Sequence, residues 1–254
     1  MTFQPQSASA ADETIQRVKS AGELRACFAD DNPWAFKNPG SGKWEGFVPD
    51  MAHGLAESME VQLVEIDGNW STLIQSLLSD QCDLIAAPLF ATVKRAEQVL
   101  FTDPYASEYV TVYVPTDSEA TSYEQIDVEG KVIAVRAGTS PADFATRFFK
   151  NAELKTYLAD SAMAVLTDVG TKRVDGWLDS VIATGRFLAQ NPQYPVRPIG
   201  DAPLDPVRLV WAVKPGDYQF QQLINTFLYS YRASGKADVS WTNWFGSVYE
   251  PPLQ

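Results

Sequence analysis

The 254-residue sequence has one histidine, His53, and only two cysteines, Cys27 and Cys82. These cannot fill a four-ligand zinc site without several carboxylates, so no metal is expected. Two cysteines make no disulfide scaffold, and a chain of this size needs none. Cations are scarce as well. Lys and Arg number 20 against 32 Asp and Glu, a formal net charge of −12. Binding a phosphate backbone requires a cationic surface, so a non-specific nucleic-acid partner is excluded. The longest uncharged run, residues 218–231, carries Gln and Asn. It falls short of the roughly 20 mostly apolar residues that a membrane-spanning helix needs. Gly-x-x-x-x-Gly-Lys-Ser/Thr, Gly-x-Gly-x-x-Gly and Gly-x-Ser-x-Gly are all absent, so no cofactor is expected. His53 falls in a predicted helix far from any nucleophile and reads as a surface or interface residue.

What remains is a globular composition, 45% hydrophobic and 20% charged. The first eleven residues have no basic start and no apolar stretch, so they are not an intact signal peptide. The stretch Ser-Ala-Ser-Ala-Ala-Asp fits the region around a small-residue cleavage site, as in an exported protein carried without its signal. It fits a disordered polar tail equally well.

Apolar periodicity organises the rest. Helices are expected at 12–21 and 50–59, and strands at 24–29, 61–66 and 84–87. Trp70, Leu73, Ile74, Leu77 and Leu78 form one face of a helix, with Asn69 as a candidate cap. The order α-β-α-β-α-β is that of a doubly wound α/β unit. The pattern restarts after Pro115, with strands at 131–135, 154–158, 174–178 and 196–199 and helices between them. A last strand at 209–213 precedes two helices, one carrying Phe220, Ile224 and Phe227, the other Trp241 and Trp244. These helices need a surface to cover, and the first unit is the natural one. The chain then crosses between lobes twice, near 105–113 and 202–208. The expected architecture is two doubly wound α/β lobes joined by two hinge segments. Residues 12–108 with 207–254 form lobe 1, residues 109–206 form lobe 2, and 1–11 form a tail. A cleft between lobes is a preferred place for a small molecule, and paired hinges allow closure around it.

Four groups of residues can serve such a cleft. Arg95 follows the strand at 84–87, where ligands of open α/β sheets bind. Its planar fork of donors matches a carboxylate; the plain alternative is a solvated surface Arg. Arg136-Ala-Gly-Thr139-Ser140-Pro141 joins a strand to a helix, with Ser140 as cap and Pro141 in the first turn. Such a helix start favours an anion; the alternative is an ordinary turn. Asp179 ends the strand at 174–178 and can face a ligand ammonium; the alternative is a helix cap. Trp34, Phe36, Trp44, Phe47 and Trp70 can wall a pocket; the alternative is core packing, less so for Trp70, whose indole N–H needs a partner. Cys27 and Cys82, placed in neighbouring parallel strands, differ in height by about four residues, roughly 13 Å. A disulfide needs Cα atoms within about 7 Å, so two free, buried thiols are expected.

The chain also resembles a known family. Ile15-Gln-Arg-Val-Lys-Ser-Ala-Gly-Glu-Leu-Arg, Gly46-Phe47 with Asp50-Met51-Ala52, Trp70-Ser-Thr-Leu-Ile-Gln-Ser-Leu, and Thr92 to Arg95 with Phe101-Thr-Asp-Pro-Tyr105 carry the likeness. So do Gly138-Thr139, Arg173-Val-Asp175 to Asp179, Val213-Lys-Pro-Gly-Asp217 and Trp244-Phe245-Gly246. In this order and spacing, from about residue 12 to 246, they resemble the periplasmic solute-binding proteins of amino-acid ABC transporters, family 3, with the type II periplasmic binding fold. The resemblance implies that Arg95 pairs with the ligand α-carboxylate, helped by backbone N–H groups at Phe90 and Ser140. It implies that Asp179 and the Pro88 carbonyl take the α-ammonium, that Trp70 covers the ligand, and that Asp30 and Arg136 meet its side chain. Thr139 and Trp34 complete the candidate set. Two positions depart from the pattern: Pro33, beside Trp34, replaces the usual aromatic, and Ala86-Ala-Pro-Leu-Phe90 is bulkier than the usual small-residue run.

The implied protein is non-enzymatic, monomeric and extracytoplasmic. It captures a polar amino acid or similar zwitterion and presents it to an ABC permease. Two rivals remain. Relatives on this scaffold are cyclohexadienyl dehydratases, for which Asp30 or Asp179 would have to act as the acid. A ligand-sensing receptor module is the other; the ending Pro251-Pro-Leu-Gln254, with no further domain, weakens that expectation.

Overall fold

The computed structural model describes residues 10–158, 162–200, 202–250 and 252. The expected tail lies outside these residues apart from Ala10 and Ala11, which open the first helix. The first half of the chain runs α1 (Ala10–Ala21), β1 (Glu23–Phe28), β2 (Phe36–Lys37), β3 (Trp44–Glu45), α2 (Phe47–Ser58), β4 (Gln62–Asp67), α3 (Leu73–Leu78), β5 (Leu84–Phe90), α4 (Val93–Ala96), β6 (Leu100–Phe101) and β7 (Ala106–Pro115). The second runs β8 (Val132–Arg136), α5 (Ser140–Phe148), β9 (Glu153–Tyr157), α6 (Ala162–Gly170), β10 (Gly176–Ser180), α7 (Val181–Gln190), β11 (Val196–Pro198), β12 (Leu204–Val213), α8 (Tyr218–Ala233) and α9 (Lys236–Phe245).

The main sheet has the order β4-β1-β5-β12-β7-β10-β8-β9. Parallel pairs join β4, β1 and β5 at one end and β10, β8 and β9 at the other. Between the two parallel sets lie β7 and β12, antiparallel to each other and to their outer neighbours. Each parallel set is a βαβ unit with helices on its faces, the doubly wound arrangement expected from the alternation of elements. The long strands β7 and β12 pass from one set to the other. The early part of β7 pairs with β12 and its later part with β10 and β11.

Periodicity explains which faces are covered. Leu73 and Leu77 of α3 are buried with Cys27, Ile85 and Ala212, and each such side chain contributes about 1.5–3 kcal/mol on burial. On the opposite face α8 packs against α1, α2 and α9. Phe220, Ile224 and Phe227 point into a core shared with Met51 and Leu55. Beyond the crossing strands, Val165, Leu166 and Val169 of α6 pack with Tyr113 and Trp177. Among the described residues, no helix is long and apolar enough to cross a membrane.

The structure corrects several expectations. Cys27 and Cys82 are joined in a disulfide, with Cα atoms 5.7 Å apart. The expected 13 Å separation assumed that Cys82 extends its strand. Instead Cys82 precedes β5 in a bent segment, where Asp83 N–H bonds to the Arg25 carbonyl at 2.8 Å, so an extended rise per residue does not apply. Trp34 is 1% exposed. Its ring meets Phe47, Tyr105, Trp241 and Phe245, so it belongs to the core and not to a pocket wall. α3 begins at Leu73, with Thr72 at the cap position but making no side-chain capping bond, and Trp70 sits in the preceding turn. Asn69 caps no helix; its side chain accepts from Ser71 N–H and Oγ. Thr139, not Ser140, is the cap position of α5, and Ser140 is its first residue.

Candidate functional site

One cavity gathers most of the residues singled out from the sequence. Trp70, Pro88, Phe90, Arg95, Arg136, Thr139, Ser140 and Asp179 all line it, together with Asp31. Asp30 lines an adjoining chamber of about 260 Å³, which shares Asp31 and Arg136 with the first. Trp34 lines neither. The inner cavity is narrow, about 20 Å³, little more than one water. Most of the open space lies on the Asp30 side.

The wall is built from strand ends. Pro88 and Phe90 are in β5, Asp30 and Asp31 follow β1, Arg136 ends β8, and Asp179 is next to last in β10. All four strands belong to the parallel sets, and their carboxyl ends are where open α/β sheets hold ligands. Arg95 is fixed by the one-turn helix α4, whose cap Thr92 accepts from the Arg95 N–H. The residue is 8% exposed. Nη1 donates to the Phe90 carbonyl at 3.1 Å and Nη2 to the Gly138 carbonyl at 2.9 Å. Burial lowers its pKa to about 10, with the Asp143 carboxylate pulling the other way; it stays a cation at neutral pH.

Gly138 brings the second half close. It has φ of +76°, and a Cβ there would stand 2.6 Å from Ser71 Cα and 2.7 Å from the Trp70 carbonyl oxygen. Only glycine accepts both the left-handed backbone and this contact. After it, Thr139 Oγ1 donates to the Arg136 carbonyl at 2.8 Å. The Ser140 hydroxyl, on a residue 7% exposed, has no hydrogen-bond partner. It stands at the α5 N-terminus, where free N–H groups favour an anion. The Trp70 indole N–H donates to the Asp30 carbonyl at 3.0 Å, the partner its position demanded.

The acid side centres on Asp179, 3% exposed. Thr184 Oγ1 donates to it at 3.0 Å, and Arg136 Nη2 reaches its two oxygens at 3.3 and 3.2 Å. The cap role open to Asp179 falls instead to Ser180, whose hydroxyl accepts from the Ala183 N–H. Arg136 Nη2 also lies 3.6 Å from Asp31, and its guanidinium is 5.6 Å from the Trp177 ring centroid. Burial works against the Arg136 charge, but Asp179 and Asp31 more than offset it and raise its pKa. Asp31 moves the other way. Burial pushes its carboxyl up to about 8, Arg136 opposes this, and Asp179, Asp30 and Glu108 add to it. Sequence reading singled out Asp30 and missed Asp31 and Thr184. The doublet Asp30-Asp31 after β1 was a usable signal; the Thr184 contact, made from the first turns of α7, was not.

The fold and this cavity define a class: a two-sided α/β receptor for a small molecule, with cations and anions presented from strand ends on both sides of its crossing strands. Comparison narrows the class to a family. The sequence model of the bacterial extracellular solute-binding proteins, family 3, matches residues 24–247, and the chain belongs to that family. It is 27% identical over 240 residues to the ABC transporter glutamine-binding protein GlnH of Bacillus subtilis (strain 168), covering 89% of this chain and 80% of that one. It is 29% identical over 151 residues to cyclohexadienyl dehydratase of Pseudomonas aeruginosa, covering 58% of this chain and 56% of that one. A crystal structure of a mutant of ArgBP from T. maritima superposes with a TM-score of 0.84 at 27% identity, covering 92% of this chain and all of that one. A truncated form of that protein has also been solved bound to arginine.

Proposed function

We propose that this chain captures an amino-acid zwitterion with a basic side chain and presents it to the permease of an ABC importer outside the cytoplasm. One observation carries the reading: a buried guanidinium, Arg95, and a buried carboxylate, Asp179, line the same cavity. Arg95 and the α5 start, with the unpartnered Ser140 hydroxyl, receive the α-carboxylate. Asp179 receives the α-ammonium, for which the ligand competes with Arg136. In the joined chambers three carboxylates, Asp30, Asp31 and Asp179, stand against the guanidiniums of Arg95 and Arg136, while Lys37 of the outer chamber is paired with Asp67 outside it. A ligand of net charge +1 balances that sum, and its cation would draw the Asp31 proton off. The glutamine-binding and arginine-bound relatives support an amino acid.

The two sides of the site form separate lobes, 12–108 with 207–254 and 109–206, hinged at β7 and β12. Ligand contacts to both lobes favour the closed arrangement by their differential affinity. The Cys27–Cys82 disulfide suits an oxidising compartment, the periplasm or cell exterior. The protein acts as a monomer and without chemistry on its ligand.

The dehydratase reading has one observation in its favour: the Asp31 carboxyl, raised to about 8, can hold a proton at neutral pH, as a general acid must. Its guanidinium neighbour argues against this. A thermal-shift panel of amino acids, their deaminated analogues and prephenate, with product analysis of each sample, separates the two. Binding by L-arginine or L-lysine without turnover is expected. Loss of prephenate in the presence of the protein would establish the enzyme.

A further inference from the structure

Glu108 is a charged group with no place in the site described so far, and it is 0% exposed. It lies on β7 where that strand changes partners. Glu108 itself faces Val207 of β12, and two residues on, Val110 faces both Leu204 of β12 and Ser180 of β10. From there its carboxylate reaches past the end of β10 to the first turn of α7. Ser180 Oγ donates to Oε2 at 2.6 Å, and the Ile182 and Tyr109 N–H groups donate to Oε1 at 3.1 and 2.9 Å. Ser180 in turn accepts from the Ala183 N–H at 3.0 Å. The open N–H groups at the start of α7 are therefore satisfied by an acid on a crossing strand and by the residue next to Asp179. Tyr113, further along β7, donates its hydroxyl to the Ser180 carbonyl at 3.0 Å and so holds the same turn.

We propose that Glu108 is a positioning residue of the ligand site: through Ser180 it sets the place of Asp179, and its charge adds to the field that holds the ligand cation. Two facts on the structure support this. Every hydrogen bond to Glu108 comes from a donor, which suits the ionised form. And the junction it holds, from the end of β10 into α7, links Asp179 to Thr184, the two residues joined at 3.0 Å in the site. The titratable groups acting with it are Asp179 on β10, Asp31 after β1 and Tyr113 on β7. Burial pushes the Glu108 carboxyl up to about 7. Ser180 and the two N–H groups resist that rise, and Asp179 reinforces it. Protonation then removes a negative charge behind Asp179 and reverses the Ser180 bond, within the neutral range.

The proposal rests on the basic amino-acid reading, so the test has a ligand-binding arm and a ligand-free arm. In the first, the full chain and Glu108→Gln are titrated calorimetrically with L-arginine from about pH 5.5 to about pH 8.5. Gln keeps an acceptor for Ile182 and Tyr109 but cannot ionise. Wild-type affinity should rise with pH by up to about tenfold more than that of Glu108→Gln, one pKa unit of coupling, the variant keeping only the rise that Asp31 gives. Asp31 titrates in both proteins, so the difference between the profiles isolates Glu108. Superimposable profiles would overturn the proposal. In the second arm, thermal midpoints of both proteins are followed without ligand over the same range. A folded-state pKa above the ordinary value stabilises fully below about pH 4.5, and that contribution fades as the pH passes about 7. The Gln variant should therefore gain on wild type as pH rises, and amide exchange at Ile182 should quicken in Glu108→Ala. Parallel midpoints with unchanged exchange would also overturn the proposal. If L-arginine fails to bind wild type at every pH, the ligand reading falls and the second arm still decides the role of Glu108.

Discussion

Arg136 is the group that two carboxylates share at one end of the cavity, and its position decides what a ligand must do there. Its Nη2 lies between Asp179 and Asp31, so in the proposed arrangement a ligand ammonium has to displace a guanidinium already in place. A small cation with three donors can take the Asp179 oxygens alongside Thr184 while Arg136 keeps Asp31. Asp179→Asn removes the charge and keeps the shape. It should weaken L-arginine by about 10- to 100-fold, the range for a hydrogen bond to a charged group. It should weaken the deaminated analogue far less. Competition calorimetry reads both; an unchanged preference for the amine would take Asp179 out of the ammonium site.

At the scale of elements, the β8–α5 turn brings the two sides of the cavity together. Gly138 fits against the Trp70–Ser71 backbone with no room for a Cβ. Gly138→Ala should lower ligand affinity by about tenfold or more, since strain of about 1–3 kcal/mol falls on the closed contact. Ligand-free stability should change less. Equal affinities by calorimetry would show that this contact does not matter for capture. Local pattern was enough to find this turn, and also Arg95, Arg136 and Asp179, because each stands at or just past the carboxyl end of a strand whose apolar run is visible in the sequence. Where the path of the chain departs from regular structure, pattern fails. The apolar pattern puts Cys82 in an extension of β5, but the chain bends there and brings it to Cys27. Trp34 looked like a pocket wall because its loop is polar and rich in Pro, yet Trp241 and Phe245, more than two hundred residues away, bury it. The choice between Asp30 and Asp31 depends on loop conformation, which no period encodes.

For the whole molecule, one sheet continuous through β7 and β12 joins two parallel sets, and the proposed ligand site straddles them. The disulfide lies entirely on the β1–β5 side, closing a sequence separation of 55 residues. Replacing Cys27 and Cys82 by Ser should lower unfolding free energy by about 2–4 kcal/mol and leave the ligand stoichiometry intact. Urea titration of both proteins checks this, and equal midpoints would mean that the cross-link adds nothing to stability. The measurement that bears most directly on capture between opposite charges is a calorimetric titration of wild type and Arg95→Ala with the same basic amino acid. Wild type should bind one ligand per chain, and the variant should give no binding heat at concentrations that saturate wild type. Equal affinities in the two proteins would contradict the proposed role of the buried guanidinium, and with it the site.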